Sequence, residues 1–145
     1  MNQAEILDAA IGTLLRILTI DERRLSSDLG TVPFNPLDLE TLSYLHKNPQ
    51  SVAKDVANHL GVRSTTMQSV IDRLHKRGLV TRDAAALKGR AVALALTQEG
   101  MAFRSQIQAQ NIENCQKMLS YVADGERNIF VKNMEMIAAR YSTSV

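Results

Sequence analysis

Apolar residues recur at helical intervals along most of the chain, and this pattern predicts a mostly helical protein. The first predicted helix runs from Gln3 to Arg24. Its apolar residues lie three or four positions apart and are Ile6, Ala10, Leu14 and Ile17. The segment SSDLGTVPFNP then interrupts the pattern with serine, glycine and proline residues, and is predicted to be a linker.

Cap chemistry predicts the start of a second helix. Asn35 is a suitable N-cap, Pro36 suits the first helical position, and Asp38 lies in the first turn, where the helix dipole favours an acid. Phe34 and Leu39 have the spacing of a hydrophobic staple across this start. The predicted buried face consists of Leu39, Leu42 and Leu45.

The next two predicted helices are short and are joined by a glycine turn. Ser51 is predicted to cap the third helix, and Gly61 lies just past its end. The fourth helix has apolar residues at i, i+3, i+4 and i+7, and Gly78 ends it. These apolar residues are Met67, Val70, Ile71 and Leu74. Two short helices joined in this way form a helix-turn-helix.

The opposite face of the fourth helix is polar. It carries Ser64, Thr65, Gln68, Ser69, Asp72, Arg73 and Lys76. Short hydroxyl side chains at a helix N-terminus can approach a phosphate closely, where free amide groups also point at the anion. Glutamine and arginine can read base edges in a DNA major groove. The alternative is that these hydroxyl residues are only caps and solvated surface.

A β-hairpin with a basic tip is predicted directly after this helix. Leu79 to Arg82 is a short apolar strand, and the second strand alternates apolar residues with alanines. Its apolar residues are Val92, Leu94 and Leu96. The loop from Asp83 to Arg90 ends in Lys88, Gly89 and Arg90. Such a hairpin after a helix-turn-helix makes a winged helix, whose tip arginine can enter a minor groove; the alternative is an ordinary surface hairpin.

Positive charge is concentrated in this central segment. The chain of 145 residues carries a net charge of +2, but residues 51–90 hold eight basic and three acidic residues, a net charge of +5. The remainder therefore has a net charge of −3. A clustered basic surface is typical of a protein that binds nucleic acid, whereas the alternative is a merely solvated charged face.

The stretch LGVRSTTMQSVIDRLHKRGLVTRDAAALKGRAVALALTQEG resembles the MarR-type bacterial transcription regulators. The shared features are a leucine-glycine pair, a serine-rich helix start and three short motifs. These motifs are "DRL" at Asp72 to Leu74, "RGLV" at Arg77 to Val80, and a closing "LT..G" formed by Leu96, Thr97 and Gly100. Two places depart from the family pattern. Arg63 replaces a small helix cap, which implies a weaker cap and an extra phosphate contact, and the wing tip matches the family's acidic-arginine-arginine signature only at Arg90.

The resemblance implies a mostly α fold with a small β-hairpin, in which a winged helix-turn-helix is flanked by N- and C-terminal dimerisation helices. It implies one domain over residues 1–145, with the winged helix at about 36–97 and the dimerisation helices at about 3–24 and 98–141. A homodimer of this kind places two recognition helices on a pseudo-palindromic site of double-stranded DNA, with half-sites about one helical turn apart. Regulators of this type usually act as repressors, and many are released by a small aromatic or phenolic ligand.

The predicted DNA contacts follow from charge and from this resemblance. The recognition helix contributes Arg63, Ser64, Thr65, Thr66, Gln68, Ser69, Arg73, Lys76 and Arg77, and the wing contributes Lys88, Gly89 and Arg90. The basic residues are expected to attract phosphates. The hydroxyl and amide residues are expected to make close phosphate contacts or to read bases.

Two apolar stripes follow the hairpin on long helices. The first comprises Phe103, Ile107, Ile112, Cys115, Leu119 and Val122, and the second comprises Phe130, Met134, Ile137 and Tyr141. Asp124 is predicted to cap the last helix. A winged helix of roughly 50 residues offers little surface for three added helices, so a partner subunit is expected. The alternative is packing on the domain's own core.

Catalytic and metal chemistry is not expected. His46, His59 and His75 lie on three different predicted helices without short ligand spacing, so no metal or cofactor is predicted. A glycine-rich phosphate loop and a recognisable nucleophile motif are both missing, which argues against an enzyme. Cys115 lies on an apolar stripe and is expected to be a buried, inert thiol; a redox sensor is the alternative.

The expected function is that of a sequence-specific transcription regulator in the cytoplasm. No apolar run approaches the roughly 18 residues of a membrane span, and the start MNQAEILDAA is acidic where a signal peptide is basic. Two alternatives stay open: a winged-helix protein-interaction module without DNA binding, and an oxidant-responsive regulator that acts through Cys115.

Overall fold

The computed structural model describes residues 1–21, 31–33, 36–88 and 91–143, with side chains described for 1–18, 36–83 and 91–143. Within these residues the elements are α1 (Gln3–Ile17), β1 (Thr19–Asp21), β2 (Thr31–Pro33), α2 (Pro36–Lys47), α3 (Ala53–Leu60), α4 (Ser64–Lys76), β3 (Val80–Lys88), β4 (Ala91–Leu96), α5 (Gln98–Ser120) and α6 (Arg127–Thr143). The contacts divide the chain into two compact units, residues 1–110 and 111–145.

The core of the first unit lies between the three short helices α2 to α4 and the hairpin of β3 and β4. The buried residues are Leu42, Leu45, Val56, Ala57, Met67, Val70, Ile71, Leu74, Leu79, Val80 and Leu94. The predicted apolar stripe of α4 is confirmed, because each of its four side chains is at most 2% exposed. This burial sets the rotation of α4 about its axis, so that its polar face points outward.

Glycines end α3 and α4, as predicted. Gly61 and Gly78 have φ angles of 66° and 75°, a left-handed backbone that residues with a Cβ avoid. After α4, the amide of Gly78 donates to the carbonyl of His75 and the amide of Leu79 to that of Leu74, both at 3.0 Å. Only Gly61 to Arg63 then separate α3 from α4, and the predicted helix-turn-helix is confirmed.

The first helix is shorter than predicted. α1 ends at Ile17 and does not continue to Arg24, because Leu18 has an extended backbone. Strand β1 follows and pairs antiparallel with β2, which lies within the predicted linker. β-branched residues in both strands favour extended structure over a further helical turn.

The second helix begins at Pro36 with Asp38 in its first turn, as predicted. The predicted staple residue Phe34 and cap residue Asn35 lie outside the described residues. The buried hydroxyl of Thr41 donates to the carbonyl of Leu37 at 2.7 Å, so it is satisfied within the helix.

Ser51 does not cap the third helix, contrary to the prediction. Its carbonyl accepts a hydrogen bond from the amide of Leu94 at 2.8 Å, and its hydroxyl donates to the carbonyl of Asn48 at 2.6 Å. Pairing with β4 therefore holds Ser51 in a bridge beside the hairpin. The N-cap position of α3 is taken by Val52, which offers no hydroxyl to the helix.

The hairpin is longer than predicted, since β3 continues through most of the expected loop. Its pairing with β4 is regular up to Asp83 and irregular from there to Lys88. In β4, Leu94 is buried and Leu96 packs against the core as predicted, but Val92 is 37% exposed and Ala93 is buried, which is the reverse of the prediction at these two positions. The irregular register explains this reversal, because an irregularity breaks the strict period of two.

Thr97 joins the turn after α4 to the start of α5. Its hydroxyl donates to the carbonyl of Gly78 at 2.7 Å and accepts from the amide of Gly100 at 2.9 Å. Its own amide donates to the carbonyl of Leu79 at 3.1 Å. One side chain thus caps α5 and holds the preceding turn, which gives a physical reason for the closing "LT..G" motif.

In the second unit, Arg127 connects the end of α5 to the start of α6. Its Nε donates to the carbonyls of Leu119 and Val122 at 2.8 and 3.0 Å, and its guanidinium pairs with Asp124 at 2.7 Å. Asp124 opens a 3₁₀ turn and does not cap α6, contrary to the prediction, because α6 begins three residues later.

Candidate nucleic-acid interface

The outward face of α4 lies opposite its buried stripe. We call it the recognition face, and its exposed residues are Ser64, Thr65, Thr66, Gln68, Ser69, Asp72, Arg73 and Lys76. A helix turns by about 100° per residue, so Thr65, Ser69, Asp72 and Lys76 project most directly away from the core. Gln68 lies on one flank of this face and Arg73 on the other.

The N-terminus of α4 is suited to an anion. Arg63 occupies the N-cap position and, within the described part of the chain, its side chain makes no capping hydrogen bond. The first turn contains no acidic residue. The first hydrogen bond of the helix joins the amide of Met67 to the carbonyl of Arg63 at 3.0 Å, so the three preceding amides need partners from elsewhere. The helix dipole attracts a negative group to the same place.

The hydroxyl groups on the recognition face differ in whether their proton is already used in a hydrogen bond within the helix. The hydroxyl of Ser69 donates to the carbonyl of Thr65 at 3.1 Å, so its proton is used within the helix. Ser64, Thr65 and Thr66 lie in the first turn and are exposed. These three are the better placed of the predicted residues for a close approach to a backbone phosphate.

Arg73 is held by a carboxylate of the second helix. Its guanidinium forms a two-point contact with Asp38, in which Nε lies 3.3 Å from Oδ2 and Nη2 contacts Oδ1. The Asp38 side chain is only 17% exposed, whereas that of Arg73 is 44% exposed. The predicted phosphate contact Arg73 is therefore already paired inside the first unit.

Asp72, the neighbour of Arg73, pairs with the hairpin. Its Oδ1 contacts Nη2 of Arg82, a residue of β3. The sequence did not single out Arg82, although it belongs to the segment with the net charge of +5. Its position two residues after "GLV" does not predict an ion pair with Asp72 of α4, because that contact depends on how the hairpin packs.

Arg77 lies at the end of α4 and faces α5. Its guanidinium carbon is 4.8 Å from the centre of the Phe103 ring, a cation–π contact. The side chain is half-buried, unlike the other predicted basic residues of the helix. The structure thus separates Arg77 from the recognition face.

Two basic residues of the predicted set stay exposed without an ion pair among the described residues. Arg63 lies at the start of α4 and Lys76 at its end, roughly 20 Å apart by the rise of a 13-residue helix. Both are separated from any carboxylate by more than salt-bridge distance within this part of the chain.

A groove of about 370 Å³ lies between α4, the start of α3 and the hairpin. Gln68 faces this groove, and its lining includes the basic residues Lys54 and Arg82, of which Arg82 is paired with Asp72. Sequence reasoning missed Lys54 as a site residue. The signal that was available is again the excess of basic residues in the central segment.

The predicted wing tip is only partly described. Strand β3 ends at Lys88, of which only the backbone is described. The side chain of Lys88 and the whole of Gly89 and Arg90 lie outside the described residues. The contacts expected of these three residues stay predictions.

His46, His59 and His75 lie on three different helices, α2, α3 and α4, as predicted. Nδ1 of His75 lies 3.0 Å from the carbonyl oxygen of Val80, and the ring of His59 lies 4.7 Å from that of Tyr44. In the described residues, no group of three or more histidine, cysteine or acidic side chains is arranged to hold a metal ion. Among the same residues, no helix is long and apolar enough to cross a membrane.

The terminal helices expose their apolar residues. On α1 these are Ile6, Leu7, Ile11, Leu15 and Ile17, and on α6 they are Ile129, Phe130, Val131, Met134, Met136, Ile137 and Tyr141. Cys115 of α5 is also exposed, so the expectation of a buried thiol is wrong for the single chain. Helical periodicity predicted apolar stripes on these helices but does not tell which surface covers them.

Comparisons of sequence connect this geometry to known proteins. Residues 33–91 match the model of the MarR family. The HTH-type transcriptional regulator PecS of Dickeya dadantii is 26% identical over 120 residues, which cover 81% of this chain and 72% of PecS.

Solved structures share the fold. The PcaV transcriptional regulator of Streptomyces coelicolor matches with a TM-score of 0.73 at 18% identity, over 99% of both chains. PcaV in complex with its natural ligand matches with a TM-score of 0.63 at 23% identity, over 94% of this chain and 89% of PcaV. ZitR of Lactococcus lactis, solved in complex with DNA, matches with a TM-score of 0.61 at 17% identity, over 97% of this chain and 99% of ZitR.

Proposed function

We propose that this chain is a MarR-type winged-helix regulator that binds double-stranded DNA sequence-specifically as a homodimer and represses transcription. The observation that carries the proposal is the recognition face of α4, which presents polar and basic residues beside an uncapped helix N-terminus. A helix of this kind can enter a major groove and direct its first amides at a phosphate.

The proposed contacts divide into two kinds. Arg63, Lys76 and the first-turn hydroxyls of Ser64, Thr65 and Thr66 approach phosphates. Gln68 reads a base edge, and a glutamine suits adenine. Lys88, Gly89 and Arg90 of the wing enter the adjacent minor groove, where an arginine is favoured.

The proposed homodimer uses the terminal helices. The exposed apolar side chains of α1 and those of α6 are far more numerous than the surface of a monomer usually carries. A second copy covers them across a two-fold axis, which matches a pseudo-palindromic operator with half-sites about one turn apart.

Release by a small aromatic or phenolic ligand belongs to the same proposal. The ligand complex of PcaV supports it by analogy of fold. Such a ligand acts by favouring a spacing of the two recognition helices that no longer fits successive major grooves. The proposed function involves no catalysis. A protein with this function binds chromosomal DNA in the cytoplasm.

The test is selection from a randomised duplex pool, followed by sequencing, at low and at near-physiological salt. We expect enrichment of an inverted repeat with half-sites about one helical turn apart. Lys76→Ala should weaken the selected binding and Lys117→Ala, on the exposed surface of α5, should not. Weak, sequence-blind binding that vanishes with salt would contradict the proposal and would favour a protein partner for the winged helix.

A further inference from the structure

We propose that Arg73 and Arg82 are positioning residues of the DNA-binding surface and that neither contacts a phosphate. Each is neutralised by a carboxylate, Arg73 by Asp38 and Arg82 by Asp72. The phosphate attraction of α4 then comes from Arg63, Lys76 and the helix N-terminus. This inference rests on the proposed function and changes the roles of residues within it.

The two ion pairs start from adjacent residues of α4. Asp72 and Arg73 point about 100° apart around the helix, so one reaches the hairpin and the other reaches the first turn of α2. The helix is therefore tied on two flanks to two different elements. Rotation about its own axis, which would misalign the recognition face, strains both pairs at once.

Asp38 keeps Arg73 from turning outward. The carboxylate is mostly buried and accepts two hydrogen bonds from the guanidinium fork, which is the strong geometry for an arginine–carboxylate pair. If Arg73 swung away to a phosphate, it would leave a mostly buried carboxylate without its partner. The pair is therefore expected to persist in the DNA complex.

Arg82 has a different role on the same surface, which is to neutralise Asp72. Asp72 lies near the centre of the recognition face and is 64% exposed, so a bare carboxylate there would repel the phosphates that the helix approaches. The guanidinium of Arg82 cancels this charge. Because Arg82 belongs to β3, the same contact also sets the position of the hairpin relative to α4.

Neutralising Asp38 tests the inference by the sign of its effect. Asp38→Asn adds one net positive charge and frees Arg73, so a phosphate-contacting arginine would bind DNA more tightly in this variant. A positioning arginine predicts the reverse, an affinity about tenfold weaker, as for the loss of one charged hydrogen-bonded pair. Asp55→Asn, which neutralises an exposed acid in the first turn of α3, is the matched control and should not weaken binding.

Salt dependence gives a second, independent readout. Each lost phosphate contact lowers the slope of log affinity against log salt by about 0.9. Arg73→Ala should therefore reduce affinity and leave this slope unchanged, whereas Lys76→Ala should lower it. Exchange of the pair by Asp38→Arg with Arg73→Asp should restore the lost affinity. Urea unfolding of each variant identifies any that fail to fold, and these are replaced by Arg73→Gln.

The outcomes separate the two levels of the proposal. Tighter or unchanged binding by Asp38→Asn, or a slope lowered by about one unit in Arg73→Ala, would overturn the positioning role while leaving specific DNA binding intact. If the unmodified protein itself shows no sequence preference, the proposed function fails and this inference fails with it.

Discussion

The α-carbon of Gly100 lies so close to the backbone of Leu79 that a methyl group added to it would be 2.0 Å from the Leu79 carbonyl oxygen. The same carbonyl accepts the amide of Thr97, so it cannot move without breaking that hydrogen bond. The start of α5 is thus packed directly against the turn that ends the recognition helix.

Gly100→Ala is expected to destabilise the first unit by about 3 kcal/mol, since backbone and not a flexible side chain must shift. The measurement is the midpoint of urea unfolding. Gly125→Ala is the control, because an added methyl group at that position meets nothing within 4 Å. Equal midpoints for the two variants would show that the contact relaxes freely.

Thr97→Val should cost about 1–2 kcal/mol of unfolding free energy. The change keeps the shape of the side chain but removes both the bond to Gly78 and the cap on Gly100. Thr97→Ser retains the hydroxyl and should lose much less. Indistinguishable stabilities of the valine and serine variants would refute the capping role.

Gln68→Ala should change the base preferred at one position of each half-site, because an exposed amide on the flank of α4 is free to read a base edge. Ser69→Ala is the comparison, since its hydroxyl proton is bound to the carbonyl of Thr65. Selected sequence profiles of both variants provide the measurement. An unaltered profile for Gln68→Ala would remove this residue from base reading.

Phe130→Glu should weaken self-association at least about 100-fold, since a two-fold interface loses the apolar contribution twice. Lys132→Glu, which changes an exposed charge on the same helix, should have little effect. Sedimentation velocity over a range of concentrations distinguishes them. A Phe130→Glu variant that dimerises like the unmodified protein would exclude this part of α6 from the interface.

The exposed Cys115 makes a thiol measurement informative. We expect one thiol per chain to react with a chromogenic disulfide without denaturant, because the side chain is exposed. Peroxide is expected to leave operator affinity unchanged, because the proposed regulator is released by a small ligand and not by oxidation. An oxidant switch would instead show lost affinity after peroxide in the unmodified protein and not in Cys115→Ser.

Local signals predicted the helix-turn-helix well. The stripe from Met67 to Leu74 and the two glycines at helix ends depend on residues near one another in the chain, so the amino-acid order is enough to recognise them. Predictions failed where a distant segment competes for the same backbone. Ser51 looks like a cap, but Leu94 pairs with it, and β1 ends the first helix early by pairing with β2.

The order of the central elements, the polar face of α4 and the concentration of positive charge around it all follow from the amino-acid sequence, because periodicity, helix ends and charge are properties of local composition. Which of those charges remain available depends on the folded chain. Asp38 lies 35 positions from Arg73, and Arg82 lies 10 positions from Asp72. Such pairs form only when packing brings separate elements together, and this packing divides the predicted basic residues into exposed cations and paired ones.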